Sequence, residues 1–270
     1  MATKQEVREF WDRAACGEQL YLRGFGAEEF RKQAEIRYEL EPFILSFAEF
    51  EASTGKRVLE IGVGLGADHQ RFAEAGAVLS GIDLTNRGVE ITRRRFEKLG
   101  LKSDLQVGDA EQLAFPDNTF DSVYAWGVVH HSPDTQRTVR EILRVLKPGG
   151  EARVMIYHKY SLVAFMLWLR YALVAGRPLT SLDTVCAKYL ESPGTKVYSQ
   201  TSARELFRQF ESVSINIQLT HGDLLTSRAG QRHEGPWLNV ARKLWPRWLL
   251  RRLCQRNGLF ILIDATKSAL

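Results

Sequence analysis

The stretch VLEIGVGLGA, Val58 to Ala67, decides the fold. Val58 to Ile61 reads as a buried parallel strand, since aliphatic side chains predominate and turn residues follow at once. Gly62, Gly64 and Gly66 then let the backbone turn sharply and come close to a ligand, because no Cβ stands in the way. The amphipathic run from Ala67 to Ala75 predicts a helix whose first N–H groups point into the space the glycines leave. Such a turn holds a nucleotide, without saying which one.

Outward from the turn, strands and helices alternate. VLSGID (Val78 to Asp83) predicts a second strand ending in an acid, 19 positions after Gly64, where a dinucleotide fold places its ribose carboxylate. Further strands are expected at Asp104 to Val107, Phe120 to Trp126 and Glu151 to Tyr157. Helices are expected at Arg87 to Leu99 and at Thr135 to Leu146, the latter stopped by Lys147-Pro148-Gly149-Gly150. This order predicts a parallel sheet with helices on both faces. Two nucleotides compete for the turn at this point, because Gly62, Gly64 and Ala67 also satisfy the GxGxxG/A pattern of NAD-type dehydrogenases.

The downstream motifs discriminate. VLEIGVGLG, the strand-ending Asp83, GDAEQLAFPDNTFD (Gly108 to Asp121), and VVHHSPD with LKPGG occur in that order. Over roughly Arg57 to Tyr157 the chain resembles the class I S-adenosylmethionine (SAM) methyltransferases, and within them the ubiquinone/menaquinone-biosynthesis type. The resemblance implies an α/β, Rossmann-like doubly wound sheet of seven strands with the last antiparallel. Val213 to Leu219 and Leu259 to Asp264 can supply strands six and seven. It also implies that SAM is the cofactor, with Glu60, Gly62, Gly64 and Gly66 along its methionyl part and Asp83 on the ribose hydroxyls. Leu84 would pack the adenine, Asp109 with the Ala110 N–H would read its amino edge, and Trp126 would border the methionine. No Asp/Asn-Pro-Pro-Tyr/Phe run follows strand four, which argues against amino-methylation of nucleobases.

The rest of the chain frames this core. The expected organisation is one domain over 1–270, with an N-terminal helical cap (1–50), the cofactor core (57–157), a helical insertion (160–210) and the last two strands (211–270). Thr3 and Glu6 fit a capping box, the helical pattern breaks at Pro42, and Trp11 and Tyr21 are placed to fold over the nucleotide site. The apolar run Ser161 to Gly176 is shorter than the ~20 residues of a membrane span and carries Arg170, so it reads as a buried helix or cavity lid. Three scattered cysteines and no ligand spacing point to a reduced compartment and no metal, and the start lacks an apolar signal core, so a cytoplasmic protein is expected.

Net charge is +5, but Arg228 to Arg256 alone holds eight Lys/Arg and one acid. Basic charge so confined does not suit a nucleic-acid binder. Segment 237–256 interleaves Trp and Leu with Arg and Lys, which fits a lid, a homodimer contact, or a peripheral membrane helix. Six histidines include His130 and His131 after strand four, His158 after strand five and His221 after strand six. The carboxyl ends of parallel strands form the ligand crevice, so these imidazoles are expected to surround one opening with Tyr157. The expected catalytic set is His158 or His221 as base, Tyr157 orienting the acceptor, and His130 beside them. The reaction expected is methyl transfer to a small-molecule acceptor. The alternatives are a lipid or quinone-like acceptor at a membrane surface, or a SAM-binding regulatory protein without turnover.

Overall fold

The computed structural model describes residues 2–227, 242–243 and 245–270. Seven strands form one sheet in the order β3-β2-β1-β4-β5-β7-β6. They are β1 (Arg57–Ile61), β2 (Val78–Asp83), β3 (Asp104–Val107), β4 (Phe120–Trp126), β5 (Leu146–Tyr157), β6 (Ser212–Gln218) and β7 (Phe260–Thr266). The first five are parallel, with Val58 beside Leu79 and Leu59 beside Val123. Strand β7 lies antiparallel between β5 and β6, placing Ile263 beside both Val154 and Ile215. This is the sheet the sequence resemblance implies. Strand β5 starts earlier than expected, at Leu146, and its register shifts through the Lys147–Gly150 turn against Phe120 and Ser122.

Burial explains why the central strands lack alternation. Leu59, Ile61, Val123, Ala125, Val154, Ile156 and Ile263 are all buried, because helices cover both sides. Each fully buried aliphatic side chain contributes about 1.5–3 kcal/mol. The covering helices include α5 (Ala67–Glu74), α6 (Asn86–Leu99) and α7 (Thr135–Val145). Thr85 and Asp134 cap α6 and α7 by accepting from the Gly88 and Arg137 N–H groups, at 3.0 and 2.9 Å.

Four helices precede the sheet: α1 (Lys4–Arg13), α2 (Glu18–Tyr21), α3 (Ala27–Leu40) and α4 (Phe43–Ala48). The Thr3/Glu6 capping box starts α1, and the break at Pro42 separates α3 from α4. The insertion after β5 holds α8 (Leu162–Trp168), a π-helical turn over Leu169–Leu173, α9 (Leu182–Tyr189) and α10 (Gln200–Leu206). A short basic helix, α11 (Arg247–Leu253), precedes β7. The run expected to be a buried helix or a cavity lid is buried on one side only. Ala164, Leu167 and Ala172 are buried, but Phe165, Leu169, Leu173 and Val174 face outward. Within the basic segment, Trp237, Leu238 and Leu244 lie outside the described residues.

Candidate functional site

Strand order reverses between β1 and β4, and a cavity of about 440 Å³ opens beyond their carboxyl ends. The glycine turn builds one wall, each glycine for its own reason. A Cβ on Gly62 (φ +80°) would stand 2.1 Å from a Val128 methyl, and one on Gly66 (φ +75°) 2.8 Å from the Thr92 hydroxyl. Gly64 (φ +51°) meets nothing within 4 Å, so its side is open to a ligand. Thr92 Oγ1 donates to the Gly64 carbonyl at 3.1 Å and holds the turn in place.

Asp83 closes β2 with one oxygen accepting the Gly64 N–H at 3.0 Å. The other accepts the Thr85 N–H and hydroxyl at 2.9 and 2.7 Å. Burial raises its pKa, opposed by these hydrogen bonds. A Cβ on Gly88 would sit 2.6 Å from this carboxyl carbon, so α6 needs a glycine where it passes Asp83. Leu84, Asp109, Ala110 and Trp126 line the same cavity.

Glu60 also lines it and lies 2.9 Å from Nδ1 of buried His69, whose Nε2 is 2.7 Å from Ser103 Oγ. Ser103 spends its proton on the Leu79 carbonyl, so its oxygen accepts from His69 Nε2–H. That tautomer leaves Nδ1 as an acceptor and Glu60 as a protonated donor. Burial pushes both groups the same way, Glu60 well above the usual carboxylate range and His69 down to about 3.

The N-terminal helices roof the cavity, with Trp11 and Tyr21 among the lining residues. Lys4 Nζ reaches both Asp109 and Glu111 at 2.6 Å, and Glu18 receives Arg87 Nε at 2.7 Å, which tie α1 and α2 over the end lined by Asp83 and Asp109. From α3, Arg37 binds Asp68 through Nε and Nη2 at 2.9 and 2.6 Å; the Tyr38 and Tyr124 hydroxyls, each at 3.0 Å, complete the carboxylate's shell. This buried cluster went unread in the sequence. Its members come from α3, α5 and β4, and no local spacing announces it.

The opposite end gathers protonatable groups. Tyr157 donates to Glu191 Oε2 at 2.7 Å, and His131 Nε2 lies 3.3 Å from that oxygen. His131 Nδ1 lies 2.8 Å from Ser192 Oγ and 3.2 Å from Thr195 Oγ1. His221 lines the cavity with Nε2 3.8 Å from Glu41 Oε1 and Nδ1 hydrogen-bonded to Ser227. Burial raises Glu41 to about 7, against the lowering effect of Arg37, and lowers His221.

Two of the expected histidines stand elsewhere. His158 is buried off the cavity with Nδ1–H donating to the Gly258 carbonyl at 3.1 Å. Successive strand residues point to opposite faces, so with Tyr157 on the cavity its neighbour turns away. His130 is buried beneath the Tyr157 ring, 4.0 Å between centroids, with its pKa driven well below the usual value by burial. Glu41 and Glu191, which sequence reading missed, take the places expected for those two.

Residues 59–154 match the family described as a methyltransferase domain. Over these residues the chain is similar to SAM-dependent methyltransferase domains. Demethylmenaquinone methyltransferase of Tropheryma whipplei is 34% identical over 142 residues, 51% of this chain and 58% of that protein. Phosphatidylethanolamine N-methyltransferase of Cereibacter sphaeroides is 40% identical over 106 residues, 38% of this chain and 51% of that protein. Haemonchus contortus phosphoethanolamine N-methyltransferase 2, solved with SAM, superposes with a TM-score of 0.62 at 19% identity, covering 99% of this chain and 60% of that one. The chain spans 32% to 58% of the length of these curated relatives and of the fungal sterol 24-C-methyltransferases it also matches. The methyltransferase domain thus covers the glycine turn, Asp83 and Asp109, while Glu41, Glu191 and His221 fall outside the matched residues.

Proposed function

We propose that the chain transfers a methyl group from SAM to an oxygen, nitrogen or carbon nucleophile of a small-molecule or lipid acceptor. One observation carries this reading. A single cavity joins Gly64, Asp83 and Asp109 at one end to Tyr157, His131, Glu191 and His221 at the other. Its size lies within the range of small-molecule pockets. The donor set suits SAM: Asp83 accepts from the Gly64 N–H and from the Thr85 N–H and hydroxyl, and keeps a lone pair on the oxygen facing Gly64 for a ribose hydroxyl. Asp109 and Ala110 would hold the adenine edge beside Leu84. Glu60, the glycine turn, Trp126 and the Arg37–Asp68 pair would surround the methionyl part.

Bound SAM supplies a methyl on a sulfonium, so that the acceptor's nucleophile gains a bond to carbon as the carbon–sulfur bond breaks. The chain's own residues then have three tasks. The α1–α2 roof excludes water. Tyr157, held by Glu191, orients the acceptor. His131 with Glu191, or His221 with Glu41, takes the acceptor's proton; His158 is not part of this assignment.

Calorimetry with SAM and NAD tests the donor. SAM is expected to bind and NAD to give no heat, and the reverse would overturn the reading. Asp83→Asn should weaken SAM by about 10- to 100-fold, the worth of a hydrogen bond to a charged group. Acceptors of the relatives' kinds, screened by S-adenosylhomocysteine release, then identify the substrate. With it, His131→Ala or His221→Ala should lower kcat by at least about 100-fold while SAM still binds. Full activity in both would remove the base assignment.

A further inference from the structure

Residues 161–182 contain two arginines and no acid, and residues 247–257 contain four arginines and no acid. The outer side of α8 and its π turn carries Phe165, Leu169, Leu173 and Val174, the last 78% exposed; Leu179 beyond it is 99% exposed. Phe165, Leu169 and Leu173 stand on the helix and its π turn. Ala164, Leu167 and Ala172 anchor the inner side against Val185 and Cys186 of α9, and Trp168 Nε1 donates to the Thr180 carbonyl at 2.8 Å. An ordered apolar face of this kind, left in water, marks an interaction surface.

The segments on either side of α11 are tied to the start of α8. Asn257 Nδ2 donates to the Tyr160 carbonyl at 2.9 Å, just before α8. Asp223 joins the two from below, receiving the Val163 N–H on Oδ1 and the Trp245 Nε1–H on its carbonyl. Trp248 is 71% exposed on α11, and Arg251, Arg252 and Arg256 are exposed with no ion pair among the described residues. Val163 of α8 lines the cavity, together with His221 and Leu259 from the segments that flank Asp223 and β7.

We propose that the outer face of α8 and its π turn, with α11 beside it, docks on an anionic lipid surface and draws the acceptor from that surface into the cavity. The acceptor clause rests on the methyltransferase reading; the docking clause does not. The charge selects the occupant. A second copy on this face would set the exposed Arg170, Arg177, Arg251, Arg252 and Arg256 against the same five cations, whereas anionic headgroups neutralise them. Exposed aromatic and leucine side chains beside arginines are what an interfacial helix inserts at the headgroup boundary. Among the described residues no helix is long and apolar enough to cross a membrane.

Flotation of the full chain with phosphatidylcholine vesicles, with and without phosphatidylglycerol, tests the proposal. Co-flotation is expected only with phosphatidylglycerol and should fall as salt rises. Neutralising two cations, as Arg251→Gln with Arg252→Gln, should lower partitioning about 30-fold, which is about 2 kcal/mol at 1.4 kcal/mol per tenfold. Phe165→Ser with Leu169→Ser should abolish flotation with circular dichroism and SAM binding unchanged. A wild-type chain that stays with the unbound fraction at low salt overturns the proposal. So does equal flotation of both variants, or a dimer that the Phe165/Leu169 variant disperses. SAM binding in the same preparations reads the methyltransferase assignment separately: its loss with flotation intact would overturn that assignment and leave the docking surface standing.

Discussion

Glu41→Gln should make stability nearly independent of a titration that the wild type cannot avoid. Glu41 is 7% exposed, and burial holds its pKa at about 7 against an ordinary value of 4.5. The folded state therefore prefers the neutral carboxyl. Well below pH 4.5 both states are protonated and nothing is lost; between pH 4.5 and 7 the unfolded chain has released its proton while the folded one keeps it, so folding weakens across that interval and levels off above 7. Each pKa unit is worth about 1.4 kcal/mol, so the penalty is about 1 kcal/mol at pH 5 and about 3 kcal/mol at pH 8. Glutamine keeps the shape and removes the charge. Urea unfolding at pH 5, 6.5 and 8, without ligand, should show the variant gaining on the wild type by about 2 kcal/mol across that interval. A difference that stays constant from pH 5 to pH 8 would refute the assignment of Glu41 as a carboxyl held near neutrality.

Two other perturbations separate packing from binding. Gly62→Ala places a methyl against Val128 at positive φ and should cost about 3 kcal/mol in urea unfolding. Gly64→Ala has room and should cost only about 1 kcal/mol, yet weaken SAM in calorimetry; equal effects of the two on folding would contradict the roles given to them. Lys4→Met should change stability by less than about 1 kcal/mol, since its ion pairs are partly exposed. It should nevertheless speed S-adenosylhomocysteine release several-fold in stopped flow by freeing α1, and an unchanged release rate would show that α1 does not gate the cavity.

What the sequence showed and what it hid divide along physical lines. The strands around Val58 to Ile61 and Val123 to Ala125 announce themselves because burial on both faces leaves mostly apolar residues, Glu60 at the ligand end excepted. The glycine turn and Asp83 announce themselves because backbone geometry forces their spacing. The acceptor end offers no such pattern. Glu41 arrives from the N-terminal helices, Glu191 from a loop that reads only as a turn, and His131 from a 3₁₀ turn, brought together by tertiary packing alone. His158 misled because strand parity was not applied to it beside Tyr157. The α8 run misled because an apolar stretch without periodicity looks the same whether both its sides are covered or one is left in water.

The placement of β7 orders how the two ends of the cavity come into being. Among the described residues strand β6 has no sheet neighbour except β7, which pairs with it from Ser212 to Gln218 and with β5 from Glu151 to Tyr157. The wall that carries Gly64, Asp83 and Asp109 needs only β1 to β4, whose partners are close in sequence. The wall that carries His221 and Phe260 has to wait for β7, which is synthesised after both of its neighbours and must slide between them. A nascent chain would thus own a place for the methyl donor before it owns a place for the acceptor.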